Sequence, residues 1–304
     1  MMNTTKWLAA TFVTAALAAP QPVAQRTFTT PADAAATLVQ AVRDKNVNLL
    51  VEVVGPESRD WLFSGDKVAD GADWGRFVAA YDKKHEIVMQ GDAKAMLNVG
   101  ADVWPFPAPL VSKSGQWHFD AEAGREEILN RRVGRNELDT IQTLLAIVDA
   151  QREYAITDAD HSGLTDYASR FKSLPGKKDG LYWPTKEGEP PSPLGLLVAN
   201  AVREGYEGIE KPGQSTPYHG YYYRMLTAQG KAARGGAYNY LVNGKLFGGF
   251  AAVAYPATYG VSGVETYIVN HVGVVYQKDL GSASGAAAQK MKLFDPGEGW
   301  KEVR

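Results

Sequence analysis

The segment Asp158-Ala-Asp-His-Ser-Gly-Leu-Thr-Asp166 sets oxygen-bearing side chains at alternate positions around a glycine. Asp158, Asp160, Ser162, Gly163 and Asp166 match positions 1, 3, 5, 6 and 9 of a calcium loop, in which spaced oxygen ligands wrap a hard cation and the glycine makes the tight turn. The bidentate acid that closes such loops is missing, because position 12 falls on Ser169. Calcium (Ca2+) held by Asp158, Asp160, Ser162 and Asp166 is therefore expected to be weak, with Glu153, one turn upstream, as a further oxygen donor. The alternative is a polar turn that ends a helix, with Asp and Ser side chains capping backbone groups.

A second candidate lies in Gln116-Trp-His-Phe-Asp120. Strand alternation puts Trp117 and Phe119 on one face and His118 with Asp120 on the other. If that second face lines a pocket, His118 and Asp120 form an acid/base pair, with His85 or Asp102 nearby. If it faces water, they are surface residues, since antiparallel sheets commonly leave one face solvated. Tyrosines form a third group: eleven of the 15 lie between Tyr206 and Tyr276, including Tyr221-Tyr-Tyr223. They either cover a core or form an aromatic strip that stacks on glycan or grips a protein.

Other chemistry is excluded by what the chain lacks. It has no cysteine, so thiol catalysis, cysteine metal sites and disulfides are ruled out. Gly260-Val-Ser-Gly263 lacks the spacing of a nucleophile elbow, and no phosphate loop, dinucleotide fingerprint or paired-histidine zinc helix occurs. With 32 basic and 34 acidic residues the chain is nearly neutral. Its densest basic run is Arg131-Arg132-Val-Gly-Arg135, which a solvated helix end explains as well as a phosphate contact would; with no long basic cluster, nucleic acid is not an expected partner.

The elements that position these residues read as an α+β protein with two domains, each with helices packed on an antiparallel sheet. Residues 1–25 read as a signal peptide: Lys6 is followed by the uncharged run Trp7 to Ala19, with small residues at Ala16-Leu-Ala18. The run stops at Pro20, short of the roughly 20 apolar residues a bilayer core needs, so the expected product is periplasmic or secreted with no membrane span.

In the first domain, residues 26–134, Thr30 caps a helix opened by Pro31, with Asp33 as the acid of a capping box. Further helices pass through Leu49, Leu50 and Val53 and through Trp74, Phe77, Val78 and Tyr81. Strands are expected at His85 to Met89, Lys94 to Val99, Ala108 to Lys113 and Gln116 to Asp120, with Trp104-Pro-Phe-Pro107 breaking the sheet. This order resembles the small cone-shaped domains of the nuclear-transport-factor-like group.

The second domain, residues 135–304, opens with a helix capped at Asn136 whose stripe is Leu138, Ile141, Leu145, Val148 and Ala155. A hinge is expected near Gly134; the alternative is one continuous rod from Ala121 to Ile156. A helix from about Pro193 to Tyr206 follows. Strands then come at Tyr221 to Thr227, Gly248 to Tyr255, Val264 to Asn270 and Val274 to Lys278, with a last helix near Ala286 to Leu293. A helix across a late antiparallel sheet resembles the globular part of type IV pilins and pseudopilins. Those proteins polymerise through a contiguous hydrophobic helix, which a leader and a whole preceding domain replace here.

Six segments carry a closer likeness: Trp104-Pro-Phe-Pro107, Gly124-Arg-Glu-Glu-Ile128 with Arg135-Asn-Glu137, Tyr218-His-Gly-Tyr-Tyr-Tyr-Arg224, Val242-Asn-Gly-Lys245, Gly248-Gly-Phe250 and Val275-Tyr-Gln-Lys-Asp-Leu280. They resemble the bacterial exported family called domain of unknown function 2950, over nearly the whole mature chain. The resemblance implies export and no particular activity. The functional expectation is a non-catalytic envelope protein whose partner is another protein or a cell-envelope component. The rival is a small-molecule or glycan-binding module, or a hydrolytic enzyme, with a pocket in the first domain and His118 and Asp120 at its mouth.

Overall fold

The first helix starts where its capping chemistry requires. Helix α1 (Pro31–Arg43) begins after Thr30, whose hydroxyl oxygen accepts from the Asp33 N–H at 3.1 Å while its O–H donates to the Asp33 carboxylate at 2.7 Å. The computed structural model describes residues 24–161, 163–206 and 216–303. Nearly all of the expected leader, and Ser162 of the acidic loop, therefore fall outside the described residues.

Helices α2 (Val47–Val54), α3 (Arg59–Leu62) and α4 (Lys67–Lys83) follow. They pack on an antiparallel sheet of β1 (His85–Met89), β2 (Lys94–Val99), β3 (Trp104–Pro105), β4 (Leu110–Lys113) and β5 (Gln116–Phe119), in the order β1-β2-β4-β5. One face supplies Ala95, Leu97, Leu110 and Phe119 to a core shared with Leu38, Val53, Val54 and Leu62, all buried. Burial of such side chains, at about 1.5–3 kcal/mol each, is what holds helices to sheet. The Trp104-Pro-Phe-Pro107 segment does not simply break this sheet. Trp104 and Pro105 pair with Val99 and Asn98, and the Phe106 N–H donates to the Leu97 carbonyl at 2.7 Å. Proline is tolerated because the pairing is a two-residue edge piece.

Helix α5 (Ala121–Thr157) runs 37 residues without interruption, about 55 Å at 1.5 Å per residue. The hinge expected near Gly134 is therefore corrected in favour of the rod. A mid-helix glycine costs only about 1 kcal/mol against alanine, and buried contacts on both sides outweigh it. Arg132 donates to the carbonyls of Trp61 and Leu62, and Asn136 Nδ2 donates to the Ser262 carbonyl at 2.9 Å. Asn136 is thus a buried cross-link inside a helix, not its cap.

The C-terminal part of α5 lies on a second antiparallel sheet, ordered Lys301–Glu302, Val275–Asp279, Glu265–Asn270, Ala251–Pro256, Tyr221–Leu226. Leu144, Ile147 and Val148 on the helix meet Val253, Tyr267 and Ile268 in the core. Helices α6 (Gly195–Arg203) and α7 (Ser284–Lys290) complete the set among the described residues. The architecture is α+β, with one buried apolar cluster drawn from residues 28–121 and another from residues 144–294. Tyr221, Tyr240 and Tyr267 are fully buried, so these members of the tyrosine-rich stretch cover core. Among the described residues no helix is long and apolar enough to cross a membrane.

Candidate ligand-binding cavity

Two helices present matching stripes to one space. On α4, Asp70, Asp73, Trp74 and Phe77 follow one another at helical spacing; on α5, Ile128, Arg131, Arg132 and Arg135 do the same. Trp104, Phe106 and Pro107 form the third side, and the cavity, open to solvent, measures about 400 Å³. That is within the range of about 300–1,000 Å³ typical of small-molecule sites. Capping carboxylates fix both helices. Asp66 accepts from the Val68 and Ala69 N–H groups at 3.1 Å to start α4, and Asp120 accepts from Ala123 N–H at 3.0 Å to start α5. Gly124 lets α5 approach the Pro107–Pro109 segment, since a Cβ there would lie 2.5 Å from that of Ala108.

The walls are aromatic and interlocked. Phe77 meets Trp74 edge-on at 6.0 Å and Phe106 at 5.2 Å, and Phe106 meets Phe119 at 5.6 Å. Arg131 lies over the Trp104 ring at 4.9 Å while its Nε donates to Glu127 at 2.6 Å. Arg135 grips Asp73 with two bonds of 3.0 and 2.6 Å, and Arg76 also pairs with Asp73.

Two buried ionisable groups complete the site. The Asp70 carboxylate accepts from the Ser64 N–H and hydroxyl, the latter at 2.7 Å. Burial raises its pKa above the ordinary carboxylate value, against the lowering effects of Ser64 and Arg132. Arg132 donates to the Trp61 carbonyl at 2.8 Å and the Leu62 carbonyl at 3.0 Å. Burial lowers its pKa, with Asp70 and Asp73 acting the other way.

The residues singled out in the sequence lie elsewhere. His118 is half-buried on β5, opposite in facing to buried Trp117 and Phe119, and does not line the cavity. Asp120 caps α5 and borders a separate depression of about 740 Å³ with Glu122, Arg125 and Gly260. His85 sits on β1, across β2 and β4 from β5, so roughly 14 Å of strand spacing separates the two histidine-bearing strands. It stacks on Tyr81 at 3.8 Å. Asp102 is exposed in the turn between β2 and β3.

In the acidic loop, Asp158 ends α5 with a left-handed backbone (φ 44°) and accepts from the Gly163 N–H at 3.0 Å. Asp160 and Asp166 converge on one cation, the Lys245 ammonium, at 2.8 and 3.2 Å. Among the described residues no group of three or more metal-ligating side chains is assembled.

The cavity residues were visible in the sequence only as unrelated pieces. Trp74 and Phe77 read only as part of a helix with Val78 and Tyr81, and the three arginines as a solvated helix end or a phosphate contact. The overlooked signal was that both helices carry the same spacing, aromatic on one and basic on the other. A model of the family described as "Protein of unknown function (DUF2950)" matches residues 25–303. No curated protein and no solved structure matches the chain.

Proposed function

The chain belongs to the DUF2950 family, which carries no assigned activity, and from its own geometry we propose that the protein is an exported binding protein that holds a small molecule between α4, α5 and the first sheet. The observation that carries this reading is the cavity of about 400 Å³ with four aromatic walls and a buried arginine. The leader pattern Lys6, Trp7 to Ala19 and Ala16-Leu-Ala18 supports export.

Binding fits the lining better than catalysis. The lining side chains are aspartates, arginines and apolar groups, with no hydroxyl, imidazole or amine among them. Asp73 is held by Arg135 and Asp70 by Ser64, so neither carboxylate is presented as a base toward the space.

Trp74 and Trp104 make the test direct, because their emission reports occupancy. Aromatic and aliphatic small molecules of about naphthalene size should shift that emission and raise the melting temperature by mass action. Ile128→Trp, which adds a ring to the wall and narrows the cavity, should weaken both responses while the circular dichroism spectrum stays native. Undiminished responses in this variant would overturn the reading.

A further inference from the structure

The charges around the cavity do not cancel, and this narrows the ligand class; the inference rests on the cavity being a binding site. Four arginines line it, Arg76, Arg131, Arg132 and Arg135, against two aspartates, Asp70 and Asp73. Asp73 already serves Arg135 and Arg76, and Arg131 is paired with Glu127.

Arg132 stands apart. It is 9% exposed, and among the described residues no carboxylate lies within 4.0 Å of its guanidinium. Two of the five N–H groups of a guanidinium are taken up by the Trp61 and Leu62 carbonyls. Carbonyls orient the group without neutralising it, and Asp70 and Asp73 act on it only from beyond 4.0 Å, with Asp73 shared among other arginines; a buried charge compensated only at a distance is costly. A cationic ligand would add to the excess positive charge, and a neutral one would leave Arg132 without a directly paired anion. An anionic group presented from the cavity would satisfy both the charge and the remaining donors.

We propose that the ligand is an amphipathic carboxylate, its carboxylate held by Arg132 and its apolar body lying among Trp74, Phe77, Trp104 and Phe106. Planar carboxylate geometry suits the guanidinium fork, and flat or linear hydrocarbon suits the aromatic walls.

The test uses the full chain and a matched pair, 2-naphthoate and neutral 2-naphthylmethanol, by calorimetry and tryptophan emission. The carboxylate should bind at least about tenfold more tightly, a gap of about 1.4 kcal/mol. Arg132→Gln should erase that preference, whereas Arg125→Gln, at an exposed arginine of α5 outside this cavity, should keep it. Should Arg132→Gln fail to fold, the wild-type pair still decides. Equal affinity for both probes overturns the anion assignment and leaves the cavity reading standing. A preference that survives in folded Arg132→Gln, or naphthoate binding undiminished in Ile128→Trp, also overturns it. If neither probe binds the wild type, both the assignment and the cavity reading fall.

Discussion

Asp66 holds Tyr206 across the two halves of the molecule: one carboxylate oxygen caps α4, and the other accepts from the Tyr206 hydroxyl at 2.9 Å and the Gly220 N–H at 3.0 Å. Asp66 is 1% exposed, so these bonds form away from water. The Tyr206 pKa rises well above the ordinary phenol value, first from burial and then from the Asp66 charge. Asp66→Asn keeps an oxygen for the cap but turns an amide donor toward two donors. It should cost about 1–3 kcal/mol in urea unfolding. Tyr206→Phe should cost about 1 kcal/mol, and the pair should be non-additive in a double-mutant cycle. Additive effects would mean that the bond carries no coupling.

Gly134 separates a hinge from a rod. It lies inside α5, exposed, and a Cβ added there meets nothing within 4 Å. Gly134→Ala should therefore stabilise the protein by about 0.5–1 kcal/mol, chiefly by restricting the unfolded chain. A hinge that needs glycine at this point would instead lose stability on the same substitution. Thermal melts of the two proteins decide.

The Lys245 ammonium occupies the place between Asp160 and Asp166 that a calcium ion would need. Calcium binding at Asp158, Asp160 and Asp166 would have to compete with it. Lys245→Gln should lower the melting temperature in chelator, because two half-buried to buried carboxylates lose their counter-charge. Millimolar calcium should then raise the melting temperature of this variant more than that of the wild type. Identical calcium responses in the two proteins would show that Asp160 and Asp166 do not share a cation site.

His271 should give the protein a pH-dependent stability. Its ring packs edge-on to Tyr240 at 5.6 Å, and its Nδ1 is buried without a hydrogen-bond partner among the described residues. Burial lowers its pKa below the ordinary 6.5, against a raising effect from the Phe250 backbone. As pH falls through 6.5 the unfolded chain takes up a proton before the folded one does. The stability of the neutral-histidine fold is therefore complete above pH 6.5 and declines below it, until the lower folded pKa is passed. His271→Gln should flatten that stretch of the stability profile in urea melts at stepped pH. An unchanged slope would assign the acid sensitivity to other groups.

Local signals sufficed for the elements, because each depends on neighbours in sequence. Thr30-Pro31 with Asp33 marked the start of α1, and alternation in Lys94 to Val99 and Gln116 to Phe119 marked strands with their inward faces. The α+β order, helices first and antiparallel strands after, followed from the same patterns. The continuity of α5 did not, because a glycine just before the expected cap Asn136 reads as a break until Arg132 and Asn136 are seen buried in contacts with residues far along the chain. Likewise the acidic loop displayed its carboxylates at cation-binding spacing, yet its counter-charge, Lys245, is supplied from 79 residues beyond Asp166. The cavity is the clearest case. Its aromatic stripe lies on α4 and its basic stripe on α5, and only the packing of both helices against one sheet makes them face each other. Sequence determined which residues share a face; tertiary structure decided which faces meet, since that choice rests on burial and charge compensation between distant segments.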